Sequence, residues 1–208
     1  MMPSRPTVGL IRLIIFLKAP RPGCVKTRLA QAIGDTAATT AYRFLVETLL
    51  KNLENISDVE LRFSPDDAFD EIRPWLRPSW RAHAQGQGGL GQRLDSAFIE
   101  AFASGAQRVV IIGSDCPGVT ADHIRAAWTA LDTKELVLGP ARDGGYWLIG
   151  LRQSQPMLFH EISWSTERVF PQTLERAQAA RLSVHLLPEL RDIDTEADWL
   201  EFQKGMLG

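Results

Sequence analysis

The residues of this chain best suited to chemistry lie in five short segments rich in charge or glycine. The first lies within FLKAPRPGCVKTRL, Phe16 to Leu29, and carries Lys18, Arg21, Lys26 and Arg28 with no carboxylate. A helix starting near Thr27 would direct its free N–H groups and positive dipole end at this loop, and Lys26 and Arg28 add full charges. Such a loop suits a polyphosphate, with Lys18, Gly23 and Thr27 as further nucleotide-binding candidates. It is not a P-loop, because Val25 stands where G-x-x-x-x-G-K-[ST] requires glycine before the lysine. Taken alone it is equally a solvated basic loop in which Pro22 and Gly23 only make turns.

Asp115 ends the apolar run of RVVIIGSD and sits between Ser114 and Cys116-Pro117. A carboxylate there suits Mg²⁺ (or Mn²⁺), which takes one or two carboxylates together with substrate phosphate oxygens. Asp192 and Asp194 in RDIDT raise the same possibility, although Asp194 is also placed to cap the last helix. GQGGLGQRL has four glycines in nine residues, allowing close backbone approach to a ligand, and Gln85 and Gln87 can pair with a base edge. Asp143 in RDGGYWLIG can orient a hydroxyl of a sugar or acceptor, while Tyr146 and Trp147 read as core or pocket wall. His83, His123, His160 and His185 share no ligand spacing and receive no role.

These segments need elements to position them. LIRLIIFL, Leu10 to Leu17, is apolar on both faces, the pattern of a strand buried in a parallel sheet. From Thr40 to Glu54, Leu45, Leu49 and Leu53 form a helical stripe with Ala41 behind them. VELRFS alternates as a strand, WRAHAQ is a weaker one, and Gly91 to Ala103 reads as a helix. Val109 to Ile112 is a β-branched strand. Thr120 is an N-cap candidate for a helix with Ile124, Ala127, Trp128 and Leu131 on one face. ELVLGPA and GYWLIGL are strands, a helix begins near Pro171, LSVHLLP is a late strand, and Thr195 to Phe202 is a last helix. Alternating strands and helices imply a three-layer, Rossmann-like α/β fold with a mostly parallel sheet, spanning residues 1–208 as one domain. Ligands bind such sheets outside the carboxyl ends of the strands.

Composition narrows the partners. Lys plus Arg total 23 against 25 Asp plus Glu, a formal charge of -2, which argues against a duplex nucleic-acid footprint. Cys24 and Cys116 lie far apart without metal-site spacing, which suits a cytoplasmic protein. The apolar run from Val8 to Leu17 is interrupted by Arg12 and followed by Lys18 and a proline-rich loop, unlike a secretory leader. No stretch approaches the roughly 20 apolar residues of a membrane span.

FLKAPRPGCVKTRL, GQGGLGQRL, GSDCPGVT, GPARDGGYWLIGL, ISWST and DIDTEADW together resemble a bacterial family of glycosyltransferase-A-type (GT-A) proteins within the nucleotide-diphospho-sugar transferase superfamily. The match runs from about Leu10 to Phe202. The chain is also similar to 2-phospho-L-lactate guanylyltransferase and molybdenum-cofactor guanylyltransferases. The resemblance implies a GT-A fold and a metal-dependent transfer of a nucleotidyl or glycosyl group from an NTP or NDP-sugar to a small acceptor. It implies that Lys26 and Arg28 hold the phosphates, that Gln87, Gly88, Gly89 and Gly91, with Ser114, fall at the nucleotide, and that Asp115 binds metal with DIDT nearby. Asp143 would then act on an acceptor held by Gly144, Gly145, Tyr146 and Trp164. Two departures stand out: the first loop lacks G-x-G-x-R, and SDCP is not D-x-D. Four basic residues on one loop favour a triphosphate, hence nucleotidyl transfer, over a diphosphate sugar. A nucleotide-binding regulator without turnover is the alternative of another class, and the oligomeric state stays open.

Overall fold

The computed structural model describes residues 10–206, so the apolar run from Val8 begins outside the described residues, as do both ends of the expected domain. Seven strands form one sheet: β1 (Ile11–Lys18), β2 (Val59–Ser64), β3 (Arg81–Ala84), β4 (Arg108–Gly113), β5 (Leu136–Pro140), β6 (Tyr146–Leu151) and β7 (Val184–Leu186). Their order is β3-β2-β1-β4-β6-β5-β7. Only β6 runs against its neighbours; the remaining pairs are parallel. The expected mostly parallel α/β sheet is present. The reversal of β6 brings its first residue, Tyr146, to the edge where β1 and β4 end.

The described residues also form seven α-helices, α1 (Thr27–Ile33), α2 (Asp35–Asn52), α3 (Phe69–Ile72), α4 (Leu90–Ala103), α5 (Ala121–Ala130), α6 (Val169–Ala179) and α7 (Glu196–Met206), and two short 3-10 turns. Strand periodicity explains the layers, because successive side chains point to opposite faces. Val110 and Ile112 of β4 join Leu13, Ile15 and Leu17 of β1 in a core shared with Val46 and Leu49 of α2 and Ile124 and Trp128 of α5. Val109 and Ile111, with Ile14 and Phe16, enter a second core with Leu94 and Phe98 of α4 and Ala177 of α6. Each fully buried Leu, Ile or Val contributes about 1.5–3 kcal/mol, so the central strands are apolar on both faces because both are covered.

Local details differ from the sequence expectation. The leucine-striped helix starts at Asp35, not Thr40, because Gly34 at φ 82° breaks the chain and Asp35 opens the new first turn. The WRAHAQ strand shrinks to four residues at the sheet edge, where β3 has only β2 to pair with. Thr120 is the N-cap of α5 as expected, but His123 completes the cap: the Thr120 N–H donates to its Nδ1 at 3.1 Å. No helix among the described residues is long and apolar enough to cross a membrane.

Gly139 of β5 lies flat against Trp147 of β6, and a Cβ there would meet Trp147 Cζ2 at 2.6 Å and Nε1 at 2.7 Å. Gly139→Ala is therefore expected to cost about 1–3 kcal/mol through overpacking, read as a lower midpoint in urea denaturation with an unchanged slope.

Candidate functional site

A cleft of about 600 Å³ opens at the carboxyl ends of β1 and β4. Lys18, Lys26, Thr27 and Arg28 come to it from the first loop, and Ser114 and Asp115 from the end of β4. Asp143, Gly145 and Tyr146 enter at the start of β6, Trp164 from the loop before α6, and Asp192 and Asp194 from the segment before α7. Gly23, Gln87, Gly88, Gly89, Gly91 and Gly144 are not among the residues lining it. Thus most of the charged and aromatic candidates come together, and most of the glycines do not line the cleft.

Lys26 is at the centre. It precedes α1 in a left-handed conformation at φ 48°, and its side chain is only 2 % exposed. Its Nζ donates to Asp194 Oδ1 at 2.9 Å and makes a still closer contact with Asp115 Oδ1. Burial disfavours the ammonium, but the two carboxylates outweigh it and hold Lys26 above its ordinary value. The four basic residues of the loop therefore have different environments. Arg21 turns away to Glu71 Oε1, at 2.9 Å from Nε and 2.5 Å from Nη2, and to Asp67 Oδ1 at 3.1 Å. Lys26 already has two carboxylates. Lys18 and Arg28 are exposed, and neither makes an ion pair among the described residues.

The segment from Arg191 to Thr195 is stitched to β4 by the Ile193 N–H, which donates to the Asp115 carbonyl at 3.0 Å. Ile193 is buried, and its two neighbours Asp192 and Asp194 line the cleft. Asp194 is not the cap of the last helix. That place is taken by Thr195, whose Oγ1 accepts the Asp198 N–H at 3.3 Å; Asp198, in the first turn, answers it, its Oδ2 accepting from the Thr195 N–H at 2.8 Å and Oγ1 at 2.6 Å, while Oδ1 accepts from Arg191 at 2.6 Å. Burial opposes its ionisation, yet these bonds lower Asp198 to about 2. Asp194 is left to pair with Lys26.

Two carboxylates converge on one ammonium, and these are the side chains that could hold a cation. Asp115 and Asp194 fit Mg²⁺ or Mn²⁺ of the kind completed by water and substrate phosphate. No group of three or more His, Cys, Asp or Glu side chains able to hold a metal occurs among the described residues, so the fit is to a two-carboxylate site. Asp192 differs from Asp194: burial, then the charge of Asp143, push it up to about 6, with Asp194 and Asp115 adding to the effect. Asp143 accepts the Gly145 N–H at 2.8 Å through Oδ1, which turns its carboxylate back over the start of β6. Cys116 is buried and its thiol is pushed up, so it is not poised as a nucleophile.

The remaining candidates have mainly structural environments. Gln87 is exposed and donates to Asp66 at 2.7 Å, whereas Gln85 faces the cleft, its Nε2 bound to the carbonyls of Leu17 and Arg62, each at 3.0 Å. A Cβ on Gly91 would meet Phe159 O at 2.6 Å and Trp164 Nε1 at 2.7 Å, so this glycine seats Trp164. Gly144, at φ 85°, lies against the Glu167 backbone too closely for any side chain. Trp164 in turn meets Tyr146 edge-on, with ring centroids 6.4 Å apart. Sequence reasoning missed Tyr42. Its hydroxyl accepts the Lys18 N–H at 2.8 Å, donates to the Lys18 carbonyl at 3.2 Å and lies 3.2 Å from Ser114 Oγ, tying the ends of β1 and β4 together. The signal was present: a phenol on the apolar face of α2 needs a polar partner.

A family model described as "Uncharacterized protein conserved in bacteria (DUF2064)" matches residues 49–166, more than half of the chain. The chain belongs to this DUF2064 family. A solved structure from Desulfovibrio desulfuricans G20, described as a candidate nucleotide-diphospho-sugar transferase, is 35% identical, with a TM-score of 0.84 over 89% of this chain and 82% of that one. CMP:2-keto-3-deoxy-manno-octonic acid synthetase complexed with CTP shares the fold at 8% identity, with a TM-score of 0.59 over 95% and 98% of the two chains. Rv0371c of Mycobacterium tuberculosis H37Rv in complex with manganese does so at 13% identity and a TM-score of 0.54, over 94% and 98%. No curated protein matches this DUF2064 member. The expected family resemblance and the nucleotide-diphospho-sugar transferase fold are thus present.

The position of Asp192 makes stability depend on pH. Its folded-state value of about 6 lies above the ordinary 3.8, so the folded chain retains the proton longer than the unfolded chain. The stabilisation is complete below about pH 4 and is lost as pH rises to about 6. Asp192→Asn is expected to flatten that part of the melting-temperature profile and to raise the melting temperature at neutral pH, as read by calorimetry.

Proposed function

We propose that this protein is a divalent-cation-dependent glycosyltransferase that takes a sugar from a nucleoside diphosphate and passes it to a hydroxyl of a small, uncharged acceptor. The observation that carries this reading is the division of charge across the cleft. Lys18 and Arg28 line one side as exposed cations, while Asp143, Glu167 and Asp192 line the other. With Arg21 bound to Glu71 and Asp67, the loop brings fewer cations to the cleft than its sequence offers, which favours a diphosphate over a triphosphate. The carboxylate side repels a phosphorylated acceptor and suits a neutral one. The likeness to the Desulfovibrio protein supports the same class of donor.

In this reading Arg28 and Lys18 bind the diphosphate, and Trp164, packed edge-on to Tyr146, provides a largely apolar wall for the acceptor. The acceptor oxygen attacks the anomeric carbon, the bond from that carbon to the diphosphate oxygen breaks, and the hydroxyl proton passes to the Asp143–Asp192 pair. A carboxyl raised toward neutrality is the better proton acceptor. Asp115 and Asp194 would hold a divalent cation, Mg²⁺ or the Mn²⁺ of the mycobacterial relative, which would supply charge neutralisation for the departing diphosphate. Both cysteines are free, in keeping with a cytoplasmic setting.

A second reading is nucleotidyl transfer from an NTP, favoured by the fold shared with the CTP-bound synthetase. There the acceptor attacks the α-phosphorus and pyrophosphate leaves. Incubation with panels of NDP-sugars and NTPs, with Mg²⁺ or Mn²⁺ and hydroxyl acceptors, separates the two. Release of nucleoside diphosphate is expected. Pyrophosphate release instead selects the second reading, and neither product despite tight nucleotide binding removes the enzyme reading in favour of a regulator. In addition, Arg28→Ala is expected to weaken a nucleoside diphosphate by about 10–100-fold, the loss of one charge-assisted contact, while a nucleoside monophosphate loses less. Calorimetric titration of the two ligands measures the difference.

A further inference from the structure

The Lys26 ammonium occupies the position where a cation between Asp115 and Asp194 would sit. Its side chain is 2 % exposed, whereas those of Asp115 and Asp194 are 54 % and 32 % exposed. The ammonium therefore lies beneath the carboxylates while they remain open to the cleft. A buried charge is not left unpaired without penalty, and two carboxylates drawn to one point without a cation repel one another. The lysine satisfies both requirements at once. It also borders the cleft, on a four-carbon stem with a mobile head.

We infer that Lys26 is an internal stand-in for the divalent cation. It neutralises Asp115 and Asp194 while no metal is bound, and it leaves them when metal arrives, releasing its ammonium toward the diphosphate. This rests on the reading that Asp115 and Asp194 hold the cation. Metal and ammonium compete for the same carboxylate oxygens, since two positive charges at one point repel. A diphosphate attracts the displaced ammonium, so metal and nucleotide favour each other's binding, and the coupling is reciprocal. In an empty cleft the carboxylates are neutralised by the lysine beneath them, and metal is held firmly only with the donor present.

Mn²⁺ binding to the full chain, followed by electron paramagnetic resonance without nucleotide, tests the exchange independently of turnover. Lys26→Met is expected to bind Mn²⁺ at least about tenfold more tightly than the wild type, because the competing charge is gone. Adding Asp115→Asn to Lys26→Met should abolish that gain. If Lys26→Met binds Mn²⁺ no more tightly than the wild type while Asp115→Asn still weakens it, the stand-in role is wrong and the metal site survives. If neither protein binds Mn²⁺, with or without nucleoside diphosphate, the metal site and the inference fall together. Should Lys26→Met not fold, acylation of the wild type followed by mass spectrometry gives the answer. Lys26 labelling should rise when Mn²⁺ binds, relative to Lys51 and Lys134, and unchanged labelling of Lys26 in the Mn²⁺-bound protein overturns the exchange.

Discussion

A lysine ammonium pinned between two carboxylates beneath an open cleft is the interaction on which the site depends. Lys26 is separated in sequence from Asp115 by 89 residues and from Asp194 by 168. The pairing therefore draws together the loop after the first strand, the end of the central strand and the segment before the last helix. Burial makes this contact demanding, because a charge removed from water needs its partners close. The cap formed by Asp198 and its Arg191 contacts, and the Ile193 hydrogen bond to the Asp115 carbonyl, hold the distant carboxylate in register.

The sheet explains why these groups meet at one edge. Parallel strands β1 and β4 deliver their carboxyl ends side by side, and Tyr42 ties them through Lys18 and Ser114. The reversed β6 contributes its beginning to the same edge and so adds Asp143, Gly145 and Tyr146. A cleft built in this way inherits cations from one side and carboxylates from the other. That polarity shifts the reading from a triphosphate donor toward a diphosphate sugar, since Arg21 has partners the loop alone could not reveal.

Much of the framework was legible in the chain. The strands around Ile14 and Ile111 are apolar on both faces because helices cover both, and the stripe of Leu45 and Leu49 follows from a helix lying on that sheet. Of the site, Lys26, Asp115, Asp143 and Trp164 were legible as candidates from residue type and position at strand ends or within the family motifs. Gln85 and Gln87 show the limit. Both offer the same amide two residues apart, but one faces the cleft with its donors fixed by backbone carbonyls and the other pairs with Asp66 at the surface. His123 similarly lacked ligand spacing and turned out to complete a helix cap.

The sequence by itself determined which segments could be strand or helix and which residue types stood at their ends, because periodicity and local chain stiffness act over a few residues. It also carried the family motifs. Only the tertiary structure decided that Lys26 faces Asp115 and Asp194, that Thr195 with Asp198, and not Asp194, closes the start of the last helix, and that Gly91 and Gly144 pack behind the cleft wall. Those choices depend on which distant groups share a buried space, and charge pairing and close packing are settled by distances that no local pattern of residues encodes.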